Sequence, residues 1–282
     1  MPQVILDLYS LEEQIEVAFC YPYQMSNLKR TLNEMHKWTS SLIGNTPDNN
    51  QIVRLYNNLN DKNHTKPGIY ILARQHSGET PGSFVLDGLL RYLSSVDGKK
   101  AYTDICWWVI PFSDIDGVLD GSYGKDQFLA ILTEPGKLTF PLVQKLKQYK
   151  WICTVGQKSV TPLQLLTYML LHQEKGFYFH LPNSDSRLLN LSQKFANDLK
   201  GAVPRSLRGN KNYICNKKDK HTSSQIGVNA SNFAINAFEC MAATLEISYQ
   251  GPSNDKFYSV EDYQMIGHTL GKVLYEYSKV YE

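Results

Sequence analysis

Apolar and polar positions follow two alternating periods along the chain. Ile69–Ala73 is a continuous apolar run rich in strand-forming residues and reads as a buried strand. Beyond a short polar turn, Phe84, Val85, Leu89, Leu90 and Leu93 recur at helical spacing, and that helix ends near Asp97-Gly98. Upstream, residues 14–23 form a strand that Pro22 ends. Ser26 caps a helix from Asn27 to about Ser40, with Leu28, Leu32, Met35 and Trp38 on one face. Asn45–Asn50 is a polar turn, 51–59 a short strand and 60–67 a polar loop.

Downstream, Tyr102–Phe112 reads as a second buried strand that runs into an acid- and glycine-rich loop, 113–125. A short helix over 141–149, a strand over 151–155 and a helix over 162–173, with Thr161 as its cap, come next. Residues 176–181 are a strand, Ser186 to about Leu199 a helix, and 203–231 polar and irregular. A strand within 238–248 and a helix from Val260 to about Tyr281 close the chain. Strands alternating with helices predict an α/β architecture. With no repeat, low-complexity tract or linker, one domain over 1–282 is expected, residues 1–24 being its lead-in segment and first strand.

Composition narrows the picture modestly. The 282 residues, 42% of them hydrophobic, suffice for a full core, and a net charge of +2 carries no global bias toward polyanions. No nucleic-acid module and no apolar stretch of bilayer length is visible, so neither partner is expected. Five scattered cysteines without a CxxC pair, and the lack of a signal-peptide pattern, point to reduced thiols in a cytoplasmic protein.

The chemistry gathers at the turn between the Ile69–Ala73 strand and the following helix. His76 and Glu79 stand there three apart, at the end of a strand where open α/β sheets bind ligands. Such a pair arises often by chance, and a strand-end histidine is commonly just hydrogen-bonded. An imidazole and a carboxylate can equally share a zinc ion, and a catalytic site then needs a third protein donor. Of the seven histidines, His180 best fits another strand end, with His172 as its competitor inside a helical pattern. Zinc hydrolysis also needs a carboxylate outside the metal shell to carry protons. Glu246 interrupts an apolar strand and is the candidate, a salt-bridged edge residue being the plain alternative.

Several segments resemble the zinc carboxypeptidases of family M14, and specifically the cytosolic carboxypeptidase branch. Ala18-Phe-Cys-Tyr-Pro-Tyr-Gln-Met-Ser-Asn-Leu28 is similar to the FCYPYxxSxL segment that enters the catalytic domain of that branch. Ala73-Arg-Gln-His-Ser-Gly-Glu-Thr80 resembles its ARxHxGET zinc motif, and Thr244-Leu-Glu246 its TLE strand. Pro111-Phe-Ser-Asp-Ile-Asp-Gly-Val118 is a weaker match to PxxNPDGV, and Phe179-His180 takes the place of the second zinc histidine. The resemblance implies a three-layer α/β/α sandwich around a mixed, largely parallel eight-stranded sheet. It implies one zinc ion held by His76, Glu79 and His180, with Glu246 activating water and protonating the departing amine.

The chain departs from the family in two places. The acidic residue that usually precedes the second zinc histidine is missing, since the local sequence is Tyr178-Phe-His-Leu-Pro182. No arginine or asparagine lies between Asp114 and Lys150, where the family carries its Asn-Arg clamp for the terminal carboxylate. Lys125, Arg187, Arg205 or Arg208 would have to neutralise that carboxylate, and lysine does so only as a point charge. The basic run Arg205–His221 is a solvated loop or a rim that attracts acidic chains. Three readings therefore stand. The first is a metallocarboxypeptidase acting on peptide or protein C-termini, the second an M14-like amidohydrolase or deacylase that needs no terminal carboxylate. The third is a catalytically weakened M14 fold kept for binding.

Overall fold

The computed structural model describes residues 18, 20–35, 38–57, 66–122, 160–165, 175–181, 186–215, 231, 234–235, 240–253 and 255–279, with 160–165 described through their backbone. Helix α1 (Met25–Met35) starts one residue before the expected Ser26 cap, and buries Leu28, Thr31 and Met35. The expected continuation to Ser40 fails because Thr39–Asn45 is strand β1, paired antiparallel with β2 (Gln51–Tyr56). The polar turn between them closes through Thr46 N–H to Asn50 O at 2.9 Å, with Asn49 left-handed at φ 65°.

Strand β3 (Gly68–Leu72) and helix α2 (Pro81–Ser94) fall where the pattern placed them, α2 opening on Pro81, which needs no N–H there. The expected strand 102–112 is divided. Its first residues end helix α3 (Lys99–Asp104), and β4 keeps Cys106–Ile110. In the glycine-rich loop a short helix α4 (Ile115–Asp120) forms, because the Asp114 carboxylate accepts from Gly117 N–H and left-handed Gly121 ends the turn.

A further correction concerns 162–165, the described part of the helix expected over 162–173. Val160–Leu165 is strand β5, paired parallel with β3 on one side and with β8 (Ala243–Ile247) on the other. Thr161-Pro162 imitates a helix start, but pairing on both edges prevails over that local signal. Strand β6 (Phe177–Leu181) and helix α5 (Ser186–Ala202) match expectation. A 3-10 turn (Arg205–Leu207) and a short strand β7 (Tyr213–Cys215) form in the stretch read as irregular. Helix α6 (Val260–Ser278) begins with a full capping box between Ser259 and Asp262. The expected elements at 141–149 and 151–155 lie outside the described residues, as do 14–17 and 19 of the first strand; Tyr21–Gln24 carries no strand pairing.

The strands hydrogen-bond in the order β1-β2-β4-β3-β5-β8-β6-β7 and form a mixed sheet. β3, β4, β5 and β8 are mutually parallel where they pair, whereas β6 runs antiparallel to β8. One face carries Ile69, Ile71, Trp107, Val109, Phe177, Phe179, Leu245 and Ile247 into a single apolar core shared with α2, α5 and α6. Helices α2 and α6 cross closely enough that a Cβ on Gly267 would lie 1.8 Å from Val85 O. Alternation along β6 and β8 turns Tyr178, His180, Thr244 and Glu246 to the opposite face. Cys20, Cys106, Cys215 and Cys240 are free thiols. Among the described residues no helix is long and apolar enough to cross a membrane.

Candidate active site

Strand β3 ends at Leu72, and the chain then turns sharply on Arg74, whose φ of 55° is left-handed. That conformation is uncommon for a side-chain-bearing residue and is held here by its own guanidinium. Buried Arg74 donates from Nε to Ser77 O at 2.7 Å, and from Nη1 to Tyr23 O at 2.9 Å and Ser83 Oγ at 3.2 Å. One side chain thus joins the turn, the lead-in segment and the first turn of α2. Burial lowers its pKa to about 10, partly opposed by Tyr249, Cys20, Tyr23 and Glu79, so it stays charged at neutral pH.

His76 and Glu79 occupy one tight turn, closed by Glu79 N–H to His76 O at 3.0 Å. Glu79 is only 2% exposed and lies within the field of Arg74. The loop after β4 buttresses the turn. Asp114 N–H donates to Arg74 O at 3.1 Å, and Ser77 Oγ donates to Ser122 O at 2.6 Å. Burial raises the Asp114 pKa, against hydrogen bonds from Gly117 and Ser77 that favour the carboxylate. Gly117 is required there, since a Cβ would come within 2.5 Å of both Asp114 Oδ2 and Ser77 Oγ. On the far side, Cys20 Sγ and Thr80 Oγ1 share a hydrogen bond of 3.2 Å.

The sheet register locates Glu246 and His180. Leu72, Gln164, Thr244 and His180 are successive partners in one row across β3, β5, β8 and β6. Glu246 lies two residues further along β8, at the level of Arg74 and opposite Tyr178, near the carboxyl edge where the His76–Glu79 turn sits. It is 3% exposed, a second buried carboxylate at that edge. Because β6 is antiparallel to β8, His180 lies level with Thr244, two residues back from Glu246 toward the other edge. Three inter-strand spacings of ~4.8 Å put the β6 backbone about 14 Å from β3. The structure therefore puts His76 and Glu79 in one turn and Glu246 at the same edge, with His180 on β6 on the sheet face that Glu246 shares. Among the described residues, no three His, Cys, Asp or Glu side chains are grouped so that they could hold a metal ion. The donor chemistry of the His76–Glu79 pair fits part of a zinc site built from two histidines and one glutamate.

Of the candidate clamps, Lys125 lies outside the described residues, as does His172. Arg187 and Arg205 are exposed. Arg187 follows the end of β6 that points away from the carboxyl edge, whereas Arg205 precedes β7, which runs parallel to β6, and so belongs to the carboxyl edge. Arg208 is engaged in capping α5, donating to Val203 O at 2.8 Å and Gly201 O at 2.6 Å. Sequence reasoning missed the structural parts played by Arg74 and Tyr249. The latter donates from its hydroxyl to Gly78 O at 3.0 Å, inside the His76–Glu79 turn. Arg74 stood in the quoted motif, but its left-handed backbone carried no glycine to announce it. Tyr249 stood three residues past Glu246 with no local mark.

Beside the turn is a cavity of about 380 Å³ whose walls include Thr80, Phe84, Tyr249 and Tyr263. Its rim carries Tyr21 and Phe257, which are 50% and 69% exposed.

No family model matches the chain. It is 26% identical over 125 residues to cytosolic carboxypeptidase 6 of Caenorhabditis elegans, a match covering 41% of this chain and 27% of the relative. It is 31% identical over 120 residues to cytosolic carboxypeptidase 2 of Xenopus tropicalis, covering 38% of this chain and 12% of the relative. Among solved structures, a metallo-carboxypeptidase of Burkholderia cenocepacia superposes with a TM-score of 0.71 at 14% identity, over 93% of this chain and 70% of the other. A metallo-carboxypeptidase from Pseudomonas aeruginosa, in complex with (2-guanidinoethylmercapto)succinic acid, gives 0.67 at 17%, with the same coverage. The chain is thus similar in sequence to cytosolic carboxypeptidases and shares the α/β fold of the metallo-carboxypeptidases.

Proposed function

We propose that the chain is a zinc-dependent metallocarboxypeptidase that hydrolyses C-terminal peptide or isopeptide bonds. The observation that supports this best is the buried Glu79 beside His76 in one turn, with the buried Glu246 at the same sheet edge. His76 and Glu79 hold the metal in this reading, and His180 is the third donor named by the sequence pattern. When bound, zinc supplies a Lewis acid and acidifies a water molecule. The Glu246 carboxylate takes the proton from the attacking water and returns it to the leaving amine. The terminal carboxylate is neutralised by a cation at the carboxyl edge, from Lys125, Arg187 or Arg205, and Arg205 is the described candidate that the topology favours. Acidic chains are the preferred substrates if the basic run 205–221 forms a rim there. The reading also takes the strands as one eight-stranded sheet in a three-layer α/β/α sandwich, in a single cytoplasmic domain over 1–282.

A second reading, an amidohydrolase or deacylase of M14 type, draws on the lack of arginine and asparagine between Asp114 and Lys150. A third reading is a catalytically weakened M14 fold kept for binding. Elemental analysis of the purified protein separates these. Near one zinc per chain, lost in His76→Ala and His180→Ala, supports both enzyme readings, and a chain that takes up no zinc refutes them. Retention of zinc in His180→Ala alone removes that donor and directs attention to His172. Peptides with free and amidated C-termini then decide between the enzyme readings, since equal cleavage of both excludes a carboxypeptidase.

A further inference from the structure

We propose that Tyr249 is a positioning residue that ties the His76–Glu79 turn to the strand carrying Glu246. The proposal rests on the active-site reading above for its functional meaning, though not for its geometry. β3 and β8 are not neighbours, because β5 lies between them. β5 fixes the register of both strands, but its described pairing ends at Leu72 and Leu245, so the segments leaving β3 and β8, about 10 Å apart at ~4.8 Å per strand, need another tie. Tyr249 leaves β8 three residues after Glu246 and donates its hydroxyl to Gly78 O at 3.0 Å, across 171 residues of sequence. Gly78 lies between His76 and Glu79 in the turn that Glu79 N–H closes on His76 O.

The tyrosine is itself anchored. The hydroxyl of buried Tyr263, on α6, is shared between Ser248 O at 3.0 Å and Tyr249 O at 3.1 Å. Ser248 N–H donates to Gly176 O at 2.8 Å, ahead of β6. The turn is braced from its other side by Arg74 through Ser77 O. Gly78 is thus drawn toward β8 while Ser77 is drawn toward α2 and the lead-in segment. That pair of constraints sets where the His76 and Glu79 side chains start relative to Glu246. Displacing reacting groups by about 1 Å is enough to cost on the order of a hundredfold in rate.

Tyr249→Phe removes the hydroxyl and keeps the ring. In metal-free protein, amide hydrogen exchange of peptides covering 74–80 is expected to rise about tenfold, the factor controlled by one ordinary hydrogen bond. Peptides from β4 and α5 that exchange by local fluctuation should be unchanged, and the urea midpoint should fall only by the ~1 kcal/mol that one hydrogen bond supplies. Cobalt(II) affinity, measured by competition with a chromophoric chelator, is expected to fall about tenfold, equivalent to about 1.4 kcal/mol. The visible absorption of the cobalt-loaded protein should change with it. Unchanged exchange over 74–80 overturns the tether. A rise of equal size over all peptides also overturns it, because the residue is then only part of general packing. If the wild-type protein binds no cobalt, the metal reading fails, while the exchange comparison still decides the tether.

Discussion

Arg74 offers the sharpest test of how this site is built. Replacing it with alanine removes a charged donor from Ser77 O, Tyr23 O and Ser83 Oγ, and leaves two main-chain carbonyls buried. Hydrogen bonds from a charged group contribute about 1.5–3 kcal/mol each, so the gross loss over three bonds is roughly 4.5–9 kcal/mol. Against this stands relief from burying the cation. A pKa lowered from 12.5 to about 10 corresponds to roughly 3 kcal/mol of penalty on the charged form. The net expectation for Arg74→Ala is a destabilisation of about 1.5–6 kcal/mol. The left-handed φ of 55° adds a second, independent expectation. Alanine keeps the backbone strain and glycine releases it, so Arg74→Gly should be more stable than Arg74→Ala by about 0.5–1 kcal/mol. Urea unfolding of the three proteins measures both quantities. An alanine variant within about 1 kcal/mol of wild type would refute the clamp, and a glycine variant less stable than alanine would refute the strain.

Other parts of the fold give further expectations. Gly267→Ala drives a Cβ against Val85 O at the α2–α6 crossing and should cost about 1–3 kcal/mol by urea unfolding, with Gly201→Ala, where nothing lies within 4 Å, as the harmless control. Buried Asp87 accepts from Thr31, from Arg91 Nε at 3.0 Å and from Gln264 Nε2 at 2.6 Å. Asp87→Ala should therefore lose about 3–5 kcal/mol and Asp87→Asn clearly less, as read from calorimetric midpoints. Burial, with a smaller push from Arg208, lowers the Lys200 pKa from 10.5 to about 8. Between those values the unfolded chain holds a proton that the folded chain has released, so stability should rise with pH there, by about 1–3 kcal/mol. Urea unfolding against Lys200→Met checks this, and a stability difference that stays flat from pH 8 to 10.5 contradicts it.

The elements legible in the sequence are those whose signals act within a few residues. The apolar run of β3, the proline at the start of α2 and the Ser259–Asp262 capping box each declare themselves locally, and each element formed where they stand. His76 and Glu79 were likewise readable as a pair, because one turn of chain is enough to bring them together. What the sequence could not decide depends on partners far away along the chain. Thr161-Pro162 carries a helix-start signal, yet β3 and β8 draw that stretch into the ladder from both sides. A histidine at a strand end reads the same whichever way the strand runs. Only the antiparallel pairing of β6 with β8 set His180 level with Thr244, on the same sheet face as Glu246. Arg74 and Tyr249 act through carbonyls at Tyr23 and Gly78, and carbonyl acceptors leave no mark in a sequence because every residue has one. Local chemistry thus determined the His76–Glu79 turn, and strand order and direction determined which sheet edge and face the other candidate side chains occupy.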